Sequence, residues 1–110
     1  MALTKEAQED LNQLQLIEQN VHAIALQKQQ FQSQLFEFET ALKELETAEK
    51  AYKIVGNIMV SSEKSELKKD LTQKKEIVDL RIKSLERQEK DLKDREKKLR
   101  DRVLGSLKNE

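Results

Sequence analysis

Cysteine and proline are absent from the 110 residues, glycine occurs twice, and aromatic residues make up 4%. Without cysteine there is neither a disulfide framework nor a thiolate metal site. Without proline, and with so little glycine, the chain lacks the turn chemistry of a loop-rich globule. No apolar run approaches the roughly 20 residues that a membrane-crossing helix needs. The opening residues MALTKEAQEDL carry no apolar core of a secretory signal, so the expectation is a cytoplasmic protein with no membrane partner. The two isolated glycines, Gly56 and Gly105, give no phosphate-cradling loop. His22 is the single histidine and has no second His or Cys to complete a metal site. The many carboxylates read as solvating charge on helices. No catalytic residue, metal or cofactor is expected, and the chain does not read as an enzyme.

What is present is charge and helix-forming residues: 38% of the chain is charged and 36% hydrophobic. The net charge is zero, but residues 1–50 hold four lysines against nine acids, and residues 51–110 hold seventeen basic residues against twelve acids. Halves of opposite sign suit antiparallel pairing of one half on the other. In the first half, one seven-residue series runs Leu3, Asp10, Ile17, Ile24, Phe31, Phe38, Leu45, and a second runs Ala7, Leu14, Val21, Lys28, Leu35, Leu42, Glu49. Eleven of these fourteen positions are apolar, which is the signature of a coiled-coil seam. In the second half, Leu71, Val78, Leu85, Leu92 and Leu99 form a strict series, with Lys75, Ile82, Glu89, Glu96 and Val103 as its weaker companion. Glu89 and Glu96 predict a second helix that faces its partner loosely there. The pattern predicts helices over about 3–49 and 65–107, with Ser65 as N-cap of the second and fraying at Leu104-Gly105-Ser106.

Between the seams the helical period fails. AYKIV (51–55) and IMVSS (58–62) are rich in β-branched residues, and Gly56-Asn57 between them suits a two-residue type II′ turn. The spacing predicts a β-hairpin over about 51–62 in which Val55 opposes Ile58, Ile54 opposes Met59 and Lys53 opposes Val60. One face then carries Tyr52, Ile54 and Met59, and the other Val55, Ile58, Val60 and the stem of Lys53. Both faces are apolar. A lone two-stranded hairpin is marginal in water and its open edges invite further strands. The hairpin therefore reads as an assembly module, with Tyr52, Ile54, Val55, Gly56, Ile58, Met59 and Val60 as its subunit-assembly residues.

The hairpin stretch Tyr52-Lys53-Ile54-Val55-Gly56-Asn57-Ile58-Met59-Val60, with Ile24-Ala25-Leu26-Gln27-Lys28-Gln29-Gln30, Ala41-Leu42-Lys43-Glu44-Leu45-Glu46 and Leu85-Glu86-Arg87-Gln88-Glu89 beside it, resembles the β-type subunit of prefoldin over essentially the whole chain, in an archaeal flavour. The α-type subunit is longer, with two hairpins between its helices; this chain has room for one. The resemblance implies a mostly α fold, a single prefoldin-like domain over 1–110. It is a long antiparallel two-helix coiled coil whose central β-hairpin joins an inter-subunit β-barrel. It also implies a hexamer of two α-type and four β-type chains that holds unfolded polypeptides without ATP and delivers them to a group II chaperonin.

In an antiparallel arm the tip is made by the start of the first helix and the end of the second. Leu3, Leu11, Leu14, Leu16, Ile17, Val103, Leu104 and Leu107 lie there. They read either as client-binding residues, exposed if the seam splays near Glu96, or as residues that close the seam. The glutamines of the first half could offer adaptable hydrogen bonds to clients, but read first as a solvated helix surface. A structural coiled-coil scaffold or tether without client-holding activity is the alternative function. Nucleic-acid binding by the basic second helix is disfavoured, because acids interrupt the basic residues throughout and few aromatics are available for stacking.

Overall fold

The computed structural model describes residues 4–108. Their order is α1 (Lys5–Thr47), β1 (Ala51–Val55), β2 (Ile58–Ser62) and α2 (Lys64–Lys108). The two helices thus flank one hairpin, as the periodicities predict. The chain forms two compact units rather than one: residues up to Lys28 with those from Ser84 onward, and Gln29–Lys83.

The helix ends differ from the sequence-based expectation in instructive ways. Thr4 caps α1: its Oγ1 accepts a hydrogen bond from the Ala7 N–H at 3.0 Å, satisfying one of the orphan donors of the first turn. Glu6 adds a favourable charge to the same turn. At the other end α1 stops at Thr47, not 49, and Glu49 is exposed outside the seam. No glycine marks this end; instead the Lys64 ammonium donates to the Glu46 carbonyl oxygen at 3.3 Å, supplying from α2 the cation that the last turn of α1 lacks. Ser65 is not an N-cap. It lies within α2, which begins at Lys64, and the Leu67 N–H donates to the Glu63 carbonyl at 3.0 Å. Nor does α2 break at Leu104-Gly105-Ser106: it stays helical through Lys108. One glycine costs a helix only about 1 kcal/mol, which the surrounding turns absorb.

In the unit Gln29–Lys83, α1 and α2 run antiparallel. Glu39 pairs with Lys75 at 3.7 Å, and the Arg81 guanidinium lies 5.5 Å from the centre of the Phe31 ring, a cation–π contact. Leu45, Val78 and Ile82 are buried, and Phe31, Leu35, Phe38, Leu42 and Leu71 are half-buried. The unit formed by the chain's two outer segments has a buried seam of its own. Ala7, Leu14, Leu85, Leu99 and Val103 are buried, and Ile17, Val21, Ile24 and Leu92 are half-buried.

The charged positions of that outer seam do not loosen it. Glu89 and Glu96 face inward, their side chains 16% and 18% exposed, and Leu99 and Val103 beyond them are buried. The expected splay is absent because each acid has a cation. Glu89 meets Lys28 of α1 at 3.2 Å and Lys93 at 3.7 Å, Glu96 pairs with Arg100, and buried Asp10 meets Arg102 at 3.3 Å. Among the described residues no buried side-chain nitrogen or oxygen lacks a partner.

The hairpin register is Val55↔Ile58, Ile54↔Met59, Lys53↔Val60, Tyr52↔Ser61 and Ala51↔Ser62. Gly56 has φ = 61°, and among the described residues no non-glycine residue has positive φ. One positive φ at the first of the two turn residues fits the type II′ turn and excludes type I′, which needs two. A Cβ on Gly56 meets nothing within 4 Å, so the constraint is purely in the backbone. Gly56→Val is expected to lower the unfolding free energy by about 1–3 kcal/mol, read from urea melts. A loss below a few tenths would show that the turn relaxes to another type.

Candidate functional site: an uncovered hairpin and the outer helix ends

The hairpin residues are placed by two devices. The Gly56-Asn57 turn sets the register, and the pleat sends alternate side chains to opposite faces. Ala51 is buried and Val60 and Ser62 are half-buried at the base. Towards the turn nothing covers the strands: Ile54 is 71% exposed, Met59 and Ile58 66%, Val55 57% and Tyr52 51%. Fully burying such side chains is worth about 1.5–3 kcal/mol each, so one short hairpin carries a large unspent drive to associate. The sheet has two strands, and the outer edge of each is open to pairing. Aliphatic side chains on both faces and two unpaired edges are what a strand-mediated assembly requires.

The outer helix ends are mixed in character. Leu104 and Leu107 are half-exposed on α2 and, three residues apart on a helix, adjoin one another. Leu16 is exposed on α1, while Leu11 and Ile17 are half-buried. Leu14 and Val103 lie in the closed seam, which corresponds to the second of the two readings made from sequence. Leu3 lies outside the described residues. A polar cleft is lined by Thr4, Glu6, Ala7, Asp10, Arg102, Gly105 and Ser106, with Arg102 bridging Glu6 and Asp10 at 3.3 Å each.

Four exposed apolar residues were missed by the sequence reading: Leu26, Phe36, Ile77 and Leu80. The available signal was that they fall outside both heptad series, so a helix that buries its seam must leave them on the surface. His22 is exposed. Among the described residues no cluster of three or more His, Cys, Asp or Glu could hold a metal ion, and no helix is long and apolar enough to cross a membrane.

Comparison with known proteins matches this geometry. A family model described as a prefoldin subunit matches residues 8–109. The chain is 40% identical over 90 residues to the prefoldin subunit beta of Archaeoglobus fulgidus, an alignment covering 79% of this chain and 78% of the relative. It is 36% identical over 83 residues to that of Caldivirga maquilingensis, covering 73% and 69%. The crystal structure of the prefoldin beta subunit from Thermococcus strain KS-1 superposes with a TM-score of 0.91 at 32% identity, covering 96% of each chain. With the family pattern spanning nearly the whole chain and the hairpin set between the helices as in that structure, the chain belongs to the prefoldin family, in its β-type branch.

Proposed function

We propose that this chain works in the cytoplasm as one of four β-type subunits, joined by its hairpin to two α-type subunits in a hexameric barrel, and holds clients at the outer helix ends. The coarser statement follows from family membership: the chain is a subunit of a non-catalytic co-chaperone that holds non-native polypeptides and passes them to a group II chaperonin. The observation that carries the finer reading is the uncovered hairpin. Its exposed Ile54, Val55, Ile58 and Met59 supply the apolar area that strand-mediated assembly buries. Leu104 and Leu107, with Leu11 and Ile17, supply small apolar contacts for a client. Each contact is weak, at about 25 cal/mol per Å² buried, and several arms acting on one polypeptide multiply them through effective concentration. Holding then needs no ATP and release stays possible.

The test mixes this chain with a prefoldin α-type subunit and reads native mass, then light scattering of an unfolded client. A complex of two α-type and four β-type chains that slows aggregation without nucleotide is expected. Leu104→Asp with Leu107→Asp should leave its mass unchanged and weaken holding severalfold. A self-contained oligomer that ignores both the α-type chain and the client would favour the scaffold reading. Full holding by the double variant would move the client site elsewhere.

A further inference from the structure

Met59 differs in chemistry from the side chains around it. The other exposed aliphatic residues of the hairpin, Ile54, Val55 and Ile58, are hydrocarbon, and Met59 alone among them carries sulfur. The sequence has no cysteine and no tryptophan, and its one other methionine is Met1. In such a chain a thioether is the group that peroxide oxidises most readily, ahead of the single tyrosine and the single histidine. Met59 is also open to attack, being 66% exposed. It stands opposite Ile54, on the hairpin face that also carries Tyr52.

We propose that Met59 is a redox-sensitive modification site that controls whether this chain assembles, with hydrogen peroxide as the reactant that meets the subunit before it joins others. The thioether sulfur attacks one peroxide oxygen. A sulfur–oxygen bond forms as the oxygen–oxygen bond breaks, and the departing hydroxide takes up a proton and leaves as water. Sulfur is oxidised by two electrons and the peroxide is reduced by two. The product, methionine sulfoxide, is polar where the thioether was apolar. This rests on the reading of the hairpin as the assembly element and adds a chemical control to it.

The position decides what the added oxygen does. In the free chain Met59 is largely in water, so the sulfoxide stays solvated and the helices are untouched. In an inter-chain sheet the same oxygen leaves water. Ile54 opposite it, and Ile58 and Val60 beside it, have no side-chain donor to give, and a polar group buried without a partner weakens association. The sheet in turn covers the sulfur, so a subunit already assembled is protected.

The test treats the free chain with hydrogen peroxide, removes the peroxide and mixes the chain with a prefoldin α-type subunit. Peptide mass spectrometry should place an added oxygen on Met59, with circular dichroism unchanged. The concentration needed for half-assembly, read by native mass, should rise about tenfold. Methionine sulfoxide reductases A and B, one for each sulfoxide epimer, should restore assembly. Met59→Leu should assemble equally well before and after peroxide, and the preassembled complex should gain oxygen at Met59 about tenfold more slowly than the free chain. Undiminished assembly of chain oxidised at Met59 would overturn the inference, as would a loss that Met59→Leu shares or that the reductases do not reverse. In those cases the hairpin reading stands as long as Ile54→Asp with Met59→Asp still blocks assembly. Normal assembly of that double variant would overturn the hairpin reading, and this inference with it.

Discussion

Ile54→Asp combined with Met59→Asp is expected to abolish assembly with the α-type subunit. Native mass should fall to the 12.9 kDa of the single chain, with the helical circular dichroism almost unchanged. Ile54 and Met59 face one another across the hairpin and are among its most exposed side chains. Within the chain they pack on little, so replacing them costs the fold little. In an inter-chain sheet they are buried, and each aspartate there is a charge taken out of water without a partner. About 4 kcal/mol for the pair is a low estimate of that penalty and corresponds to roughly a thousandfold weaker association. An unchanged native mass would remove the hairpin from the assembly role. A collapse of helical signal would show instead that the hairpin holds the helices together.

The second large effect is expected at the seam pair Lys28–Glu89. Lys28→Glu places two carboxylates at a position where both side chains are largely buried. Loss of the pair and repulsion between its replacements should cost about 2–3 kcal/mol of unfolding free energy. Lys93, 3.7 Å from Glu89, keeps that carboxylate partly neutralised and prevents a larger loss. Exchanging the two, Lys28→Glu with Glu89→Lys, should recover most of it. Recovery will be incomplete, because the new lysine then stands one helical turn from Lys93 and like charges at that spacing repel by a few tenths of a kcal/mol. Urea melts of the wild type, both single variants and the double variant measure the coupling directly. A coupling near zero would mean that water, rather than the partner, satisfies each group.

These two sites also mark what was legible in the sequence. The hairpin was readable down to its register, because a glycine at the first turn position admits few alternatives and the β-branched runs on either side have one pairing about it. The seams were readable because sevenfold spacing holds through both helices. The charged seam positions were misjudged: Glu89 and Glu96 looked like a loosening, whereas their neutralisation by Lys28, Lys93 and Arg100 needs partners four or sixty-one residues away. Helix ends were the other weakness. The end of α1 is finished by Lys64, a tertiary contact that leaves no local trace. The surface residues Phe36, Ile77 and Leu80 were visible only as departures from the seam, and such departures have meaning once burial is known.

The contacts closing this chain bear on the order in which it folds. Val55 and Ile58 meet across a two-residue turn, whereas Lys64–Glu46, Lys28–Glu89 and Arg102–Glu6 span 18, 61 and 96 residues. Bringing the most distant pair together from an unfolded chain costs the most loop-closure entropy. Once the turn is made, each later layer of the seam closes only a short additional loop. Formation should therefore start at Gly56-Asn57 and proceed outward, with the pairs nearest the chain ends closing last and reopening first.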